Sequence, residues 1–544
     1  MGELQKWACA VLMASLSLGA SACGGASTDD DDMVDPDPDP DPDPDPDPDP
    51  DPDPDPDPDP TDDLQPGTFL SPLVKLQQIR GNNEHMHVDE VRLRDDNLLF
   101  VCSYNFAIID VEDAQASEYL AQELTHVIEG STRKPGCIHV GWDDTNYNIV
   151  YTTHRGNIRN PHFLSGWDIT DPENPIQLPV LREDGTSYED VDTLNGYIYV
   201  GLKAEGLGVY TRDPATNIIT RQTTLAGFES AWGVRIDPTT SRLYVADNLG
   251  GLAIVDIADP LNPSILGQVA TGGQARDTVI AGNYAYVATG SAGVTVVDVT
   301  DPTDPTVVRT VDMPGSAIRL AESEGLLYVA AWNDVRAYSL VEDPERPRFI
   351  GTARVTQRDD DILDPDRPES SQRIFGVAAR GQDLFMGSWW TPHSFRVFPE
   401  RTAPDIDLPE TYQQLDFGKV SGFFTATQDF EITNQGTEPL TIVDASTVGP
   451  YEVSPRQMRL EPGETGELEI TFDPTSASME AGYLKILSDD PAEPLRTAYL
   501  VGNLPGLSIG STLPETKAIL LDGTEWSTSE VVDQPMLMSY FATF

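Results

Sequence analysis

The chain has 544 residues, a formal net charge of −56, 43 Gly, 45 Pro and 39% hydrophobic residues. That length allows several domains with large cores, and short apolar runs punctuated by Gly and Pro argue for β-rich structure. So acidic a balance makes nucleic acid and anionic membrane surfaces poor partners and favours solubility, mutual repulsion and weak cation binding.

The N-terminal "MGELQKWACAVLMASLSLGASAC" has one Lys, a short apolar core from Trp7 to Leu18 and small residues leading to Cys23. It is too short for a permanent bilayer span and reads as a secretion signal. The stretch Leu18-Gly-Ala-Ser-Ala-Cys23 resembles the lipobox of bacterial lipoproteins, although the leucine lies farther from the cysteine than usual. The resemblance implies acylation of Cys23 and anchoring in the bacterial cell envelope, periplasmic or surface-exposed; an ordinary signal peptide cut near Ala22 is the alternative. Residues 24–68 follow as an acidic tether with thirteen Asp-Pro pairs from Asp35 to Pro60. Alternate prolines remove donors and fix φ while alternate carboxylates repel, so an extended polyproline-like rod is expected. At about 3.1 Å per residue it spans on the order of 80 Å. A solvated spacer and a rod that condenses calcium are both compatible with it.

From residue 69 to 403 the sequence repeats. Asp-Pro turns begin at Asp171, Asp213, Asp259, Asp301 and Asp343, spaced 42, 46, 42 and 42 apart. Within one unit, "DTVIAGNYAYVATGSAGVTVVDVTDPTDPTVVRTV" reads as four strands separated by a Gly-Asn turn, a Gly-containing turn and an Asp-Pro turn. Such a meander at this period is the signature of a β-propeller blade. Third strands begin at Phe106, Ser165, Leu207, Leu252, Val294, Val335 and Ser394, which gives seven blades. The last lacks an outer strand, and "LSPLVKLQQIRG" (70–81) is expected to supply it and close the ring. The units "GLAIVDIADPLNP" and "GVTVVDVTDPTDP" resemble the LVIVD repeat of secreted bacterial proteins. That resemblance implies a display surface and brings no catalytic residue.

Aligning first strands brings Asp89-Glu90, Glu189-Asp190 and Arg276-Asp277 to one rim, opposite Gly136-Cys137, Trp232-Gly233, Ser316-Ala317 and Phe375-Gly376. Asp89, Glu90, Glu189, Asp190 and Asp277 could then form a partial acidic ring near His85 and His87. Such a ring either binds a divalent cation such as calcium or consists of hydrated strand-end carboxylates. His139, His154, His162 and His393 show no metal-ligand spacing and read as loop or core residues. Cys102 and Cys137 pair between neighbouring blades or remain two buried thiols.

Residues 410–503 alternate apolar and polar with "NQG" and "EPGE" turns, describing an immunoglobulin-like sandwich. The phrases "LDFGKV", "ITNQGTEPLTI", "LEPGETGELEITFDP" and "GYLKILSDDP" resemble the ASPM, SPD-2, Hydin type of domain, also seen as a choice-of-anchor module. This implies spacing or protein contact. Residues 505–544, with "IGSTLPETKAILLDGTEWSTSEV" before "QPMLMSYFATF", resemble the opening of a thioredoxin-like domain, whose CxxC would follow Phe544. Three readings of the stop are open: a fragment, a degenerate remnant, or a selenocysteine codon read as termination.

The expected fold is therefore all-β: a seven-bladed propeller, an immunoglobulin-like sandwich, then an incomplete thioredoxin-like α/β start. Two functions are compatible with it. In one, the full gene product is a thiol or selenol oxidoreductase and the chain as given, lacking the nucleophile, is inactive. In the other, the chain is a surface protein that binds an unknown protein partner and has no catalytic activity.

Overall fold

The Gly-Asn and Asp-Pro turns stop strands at fixed places, and the computed structural model shows the sheets that result. It describes residues 69–80, 88–127, 137–154, 162–354, 373–389, 391–408, 414–420, 424–503, 517–519 and 525–527. Cys23, the Asp-Pro tether, His85, His87 and the run Met536 to Phe541 lie outside these residues.

In the fifth blade, strands Asp277–Ala281, Tyr284–Ala288, Val294–Asp298 and Thr306–Val311 form one antiparallel meander. Gly282 turns the first corner at φ 60°, a left-handed conformation that glycine adopts without a Cβ penalty. Asp301 closes the last corner by accepting from the Thr303 N–H at 2.9 Å, and Asp259 does the same for Leu261 at 3.1 Å. The proline after each aspartate presets φ, so the motif both ends the third strand and aims the fourth. A register shift recurs between third and fourth strands, at Val209/Tyr210, Ile254/Val255, Val296/Val297 and Ala337/Tyr338. Each bulge adds local twist where the sheet reaches its outer edge.

Among the described residues, seven such four-stranded sheets occur in the propeller region. Their first strands, Glu90–Leu93, His139–Trp142, Val191–Leu194, Gly233–Asp237, Asp277–Ala281, Arg319–Ser323 and Ile374–Arg380, each neighbour the next. The seventh returns to the first, so the ring is closed. Its closing element is Leu73–Gln78, which pairs antiparallel with Pro392–Val397, Leu73 opposite Val397 and Gln78 opposite His393. The N-terminal segment is thus the outer strand of the seventh blade.

Middle strands are buried on both faces because each blade is packed between two others. Tyr244, Leu252 and Ile254 of the fourth blade meet Ala285, Val287 and Val297 of the fifth in one apolar cluster. Large side chains buried this way contribute roughly 1.5–3 kcal/mol each. Second strands share a buried tyrosine, Tyr151, Tyr199, Tyr244, Tyr286 and Tyr328. The hydroxyl of Tyr286 donates to Pro344 O at 2.7 Å and that of Tyr328 to Gly381 O at 3.1 Å, tying each blade to the next.

The sandwich has two sheets. One runs Ile406–Asp407, Ala426–Asn434, Thr465–Phe472, Tyr451–Ser454; the other Gln414–Asp416, Leu495–Gly502, Glu480–Ser488, Leu440–Val448, Met458–Leu460. Alternation in "TGELEITF" places Leu468, Ile470 and Phe472 inward, against Phe430, Ile442, Leu484 and Leu500. Near the C-terminus, Lys517–Ile519 pairs antiparallel with Glu525–Ser527 as an independent hairpin. The expected α/β continuation lies outside the described residues.

Candidate functional site: the channel rim

First strands of neighbouring blades do not pair with one another, so their channel-facing N–H groups need acceptors. Side-chain carboxylates supply them. Glu90 Oε2 accepts from the Val140 N–H at 2.8 Å, Asp190 Oδ2 from Val234 at 3.2 Å and Asp277 Oδ2 from Leu320 at 3.0 Å. Each bond links a blade to its successor. Asp192 Oδ2 repeats the device one step along, accepting from Ile236 at 3.0 Å.

The residue pairing at the head of each first strand gives the rim as Glu90, His139, Asp190, Gly233, Asp277, Arg319 and Gly376. This corrects the alignment of two blades by two residues. Ile138-His139 and Ile318-Arg319 occupy the positions assigned to Gly136-Cys137 and Ser316-Ala317. The missed signal is a small buried residue just before the rim: Ala231, Ala275 and Ala317 are each paired to the preceding blade by an isolated bridge. Aligning "SAWG", "QARD" and "SAIR" on that alanine brings Arg319 into place. Glycine is required at two rim positions, because a Cβ on Gly233 would lie 2.6 Å from Arg276 O and one on Gly376 2.5 Å from Val91 N.

Around the rim, opposite charges alternate. Arg319 Nη2 lies 2.8 and 2.7 Å from the two ring nitrogens of His139, and His139 Nδ1 lies 3.5 Å from Glu90 Oε2. Arg235 is paired with Asp277 at 3.1 Å, and Arg92 bonds Asp192 at 3.2 Å while donating to Val140 O and Val191 O at 2.8 and 2.9 Å. Burial alone would raise the Glu90 carboxyl, but His139, Arg319 and Arg92 outweigh it and hold it down at about 2. Arg92, Arg235, Arg319, Glu90 and Asp277 line a cavity of about 190 Å³ in the channel.

Of the residues expected in an acidic ring, Glu90 and Asp190 come together, joined by His139 rather than by a further carboxylate; their donor atoms lie within 4.8 Å of one another. Asp277 instead pairs with Arg235. Glu189 faces Lys203 at 3.1 Å, and Asp89 is half-buried near Tyr104, whose hydroxyl is raised by burial and by that charge. The trio does not fit calcium, which takes six to eight oxygen ligands, whereas here one donor is an imidazole. Both Asp190 oxygens already accept backbone N–H groups, from Val191 and Val234, and a guanidinium covers the edge of His139. The rim carboxylates Glu90, Asp190 and Asp277 are therefore bonded into the framework that joins the blades.

The other histidines sit elsewhere. His154 is buried, its ring stacked on Phe163 at 3.7 Å and in edge contact with His126 at 4.4 Å, and burial pushes it well below the usual imidazole range. His393 lies in the seventh blade, its value likewise depressed by burial and then by Lys75 and Arg80. Cys102 and Cys137 form a disulfide across 35 residues, joining the first blade to the segment that leads into the second.

The family model of the LVIVD repeat matches residues 243–271 and 272–313, and the HYDIN/CFA65/VesB-like, Ig-like domain matches 406–502. The chain is thus a repeat β-propeller joined to an Ig-like domain. Among solved structures it is similar to the WD40 β-propeller domain of Doa1, with 12% identity, 59% of this chain and 96% of that chain covered, and a TM-score of 0.44. It is also similar to the Myceliophteria thermophila Cps50 (Swd1) β-propeller domain at 10% identity, covering 60% and 99%, TM-score 0.45. The RRP9 WD40 repeats give 11% identity, 59% and 97%, TM-score 0.45. No curated protein matches the chain.

Proposed function

We propose that the chain is a non-catalytic protein-binding scaffold, held at the bacterial cell envelope by a lipid on Cys23, spaced by the Asp-Pro rod, and binding its partner through one face of the propeller. The observation that carries this reading is the contrast between channel and face. Channel carboxylates are spent on backbone N–H groups and guanidiniums, as above. The face formed by second-to-third-strand turns carries aromatic and apolar side chains: Tyr104 is 52% exposed and Leu249 64%. On the same face Trp332 and Trp389 flank Phe375 at 5.2 and 5.9 Å, with Arg373 over both indoles. Trp, Tyr and Arg are the residues that dominate protein-binding hot spots. The opposite face carries the Asp-Pro turns, with exposed Asp259 and Asp301 and the exposed apolar side chains Ile218, Leu261 and Val341.

The test is a photo-crosslinking amino acid placed at Trp332 or Trp389 on one face and at Thr303 or Asn262 on the other, in cells making the whole chain. Discrete protein adducts from the first pair alone are expected. Adducts equal from both faces, or from neither, contradict the proposal.

A second reading, a thiol oxidoreductase, rests on the resemblance of 509–544 to the opening of a thioredoxin-like domain; of that stretch, the hairpin Lys517–Ile519 with Glu525–Ser527 is described. Thiol-reductase activity that appears only when the chain is extended through the stop supports it, and its absence from the extended chain removes it.

A further inference from the structure

We propose that the joint between propeller and sandwich is a proton-operated latch: carboxyl groups on the connecting segment and on the sandwich turn 489–494 hold the domains together when protonated and loosen them when ionised.

The geometry is a largely buried charge imbalance in which Arg354, 23% exposed, reaches solvent. Arg336, in the third strand of the sixth blade, is fully buried and bonds Asp334 at 3.1 Å, Gln435 Oε1 at 2.6 Å and Asp407 at 3.4 Å. Asp405 Oδ2 crosses to the same blade, accepting from the Thr352 N–H at 3.0 Å and hydroxyl at 2.9 Å. From the sandwich, Asp490 Oδ2 accepts from the Ile406 N–H at 2.9 Å, and Glu493 takes Arg354 at 3.0 Å and Arg496 at 2.5 Å. Asp489 lies beside them, accepting from Thr441 at 2.7 Å, and Tyr338 of the sixth blade faces Asp405. Six carboxyls, Asp334, Asp405, Asp407, Asp489, Asp490 and Glu493, thus meet three guanidiniums, Arg336, Arg354 and Arg496.

A buried charge without a counter-charge is expensive, and such a group neutralises instead. Protons are the neutraliser that needs no further ligand. Burial, and after it Asp490, push the Asp405 carboxyl well above the usual range despite Arg336. Burial followed by Glu493 lifts Asp490 to about 6, and burial also raises Asp407. Opening the joint would return these groups to water and to their ordinary value of 3.8. The closed joint therefore binds protons more tightly than the open one. Closure is favoured as pH falls, fully so below the ordinary value, and is lost as pH rises through about 6 and beyond.

The experiment uses the whole chain with spin labels at Thr303→Cys and Ser476→Cys, in chelator, measuring the label-to-label distance distribution from about pH 5 to about pH 9. One narrow distance at the acid end and an added broad population at the alkaline end are expected. Asp405→Asn, which mimics the protonated carboxyl, should keep the narrow distance throughout. An infrared carbonyl band of a protonated carboxylic acid at neutral pH, lost in Asp405→Asn, gives a second readout should the labelled protein fold poorly. A wild-type distribution unchanged across the range, an Asp405→Asn protein as pH-sensitive as wild type, or opening driven by the chelator at fixed pH would each overturn the latch.

Discussion

At the scale of single residues, the rim carboxylates act as joints between blades. Asp277 is the clearest case, since it accepts the Leu320 N–H and neutralises Arg235. Asp277→Ala removes the nearest counter-charge of Arg235 and leaves the Leu320 N–H without its acceptor, so we expect a loss of roughly 2–4 kcal/mol in chemical denaturation, whereas Asp259→Ala on the exposed turn changes little. Glu90 makes a pH-dependent contribution. Its folded value of about 2 lies below the ordinary 4.5, so its stabilisation is present above the ordinary value and is lost as pH falls through the folded one. Glu90→Gln should therefore be destabilised by on the order of 3 kcal/mol at neutral pH, with the difference from wild type shrinking towards pH 2. A constant difference at all pH values would show that Glu90 acts by packing alone.

At the scale of elements, strands with their own turn chemistry were legible and those fixed by distant partners were less so. Five of the third strands are announced by an Asp-Pro turn, a local device whose aspartate bonds its own backbone, and the third strands of all seven blades lie where the sequence places them. The register of first strands was less legible, because its cue is a single alanine before the rim whose meaning lies in the bridge that pairs Ala317 with Gly290 of the preceding blade. For the same reason His139 and Arg319 were missed as rim residues: their roles exist only once two blades meet. In the second blade the second and third strands, Ile149–His154 and Phe163–Asp168, are joined by the long connection 155–162, and the blade ends in the two-residue strand Ile176–Gln177. Leu73, 4% exposed, packs its closing strand into the cluster of the sixth and seventh blades. Leu73→Ala should cost about 2–4 kcal/mol. Removing residues 69–80 should bare the edge Pro392–Val397 and give oligomers on size-exclusion chromatography; a monomer as stable as wild type would show that the strand is dispensable.

At the scale of the whole molecule, the ring closes on itself, with the Asp-Pro turns on one face, Trp332, Phe375 and Trp389 grouped on the other, and rim carboxylates that join neighbouring blades. The binding role proposed above was only partly legible in the sequence, because a contact surface is assembled from turns of several blades and leaves no spaced motif. The disulfide Cys102–Cys137 and the N-terminal closing strand both fasten the ring near the first blade. Everything above depends on that closure within one chain. The most direct measurement is oxidation of Val74→Cys with Arg396→Cys, residues paired across the closing ladder, against Val74→Cys with Phe395→Cys, one residue out of register. An intramolecular disulfide in the first pair alone, found by mass spectrometry on monomeric protein, is the expected result. A cross-link between two copies, or none, would contradict a ring closed by its own N-terminal strand.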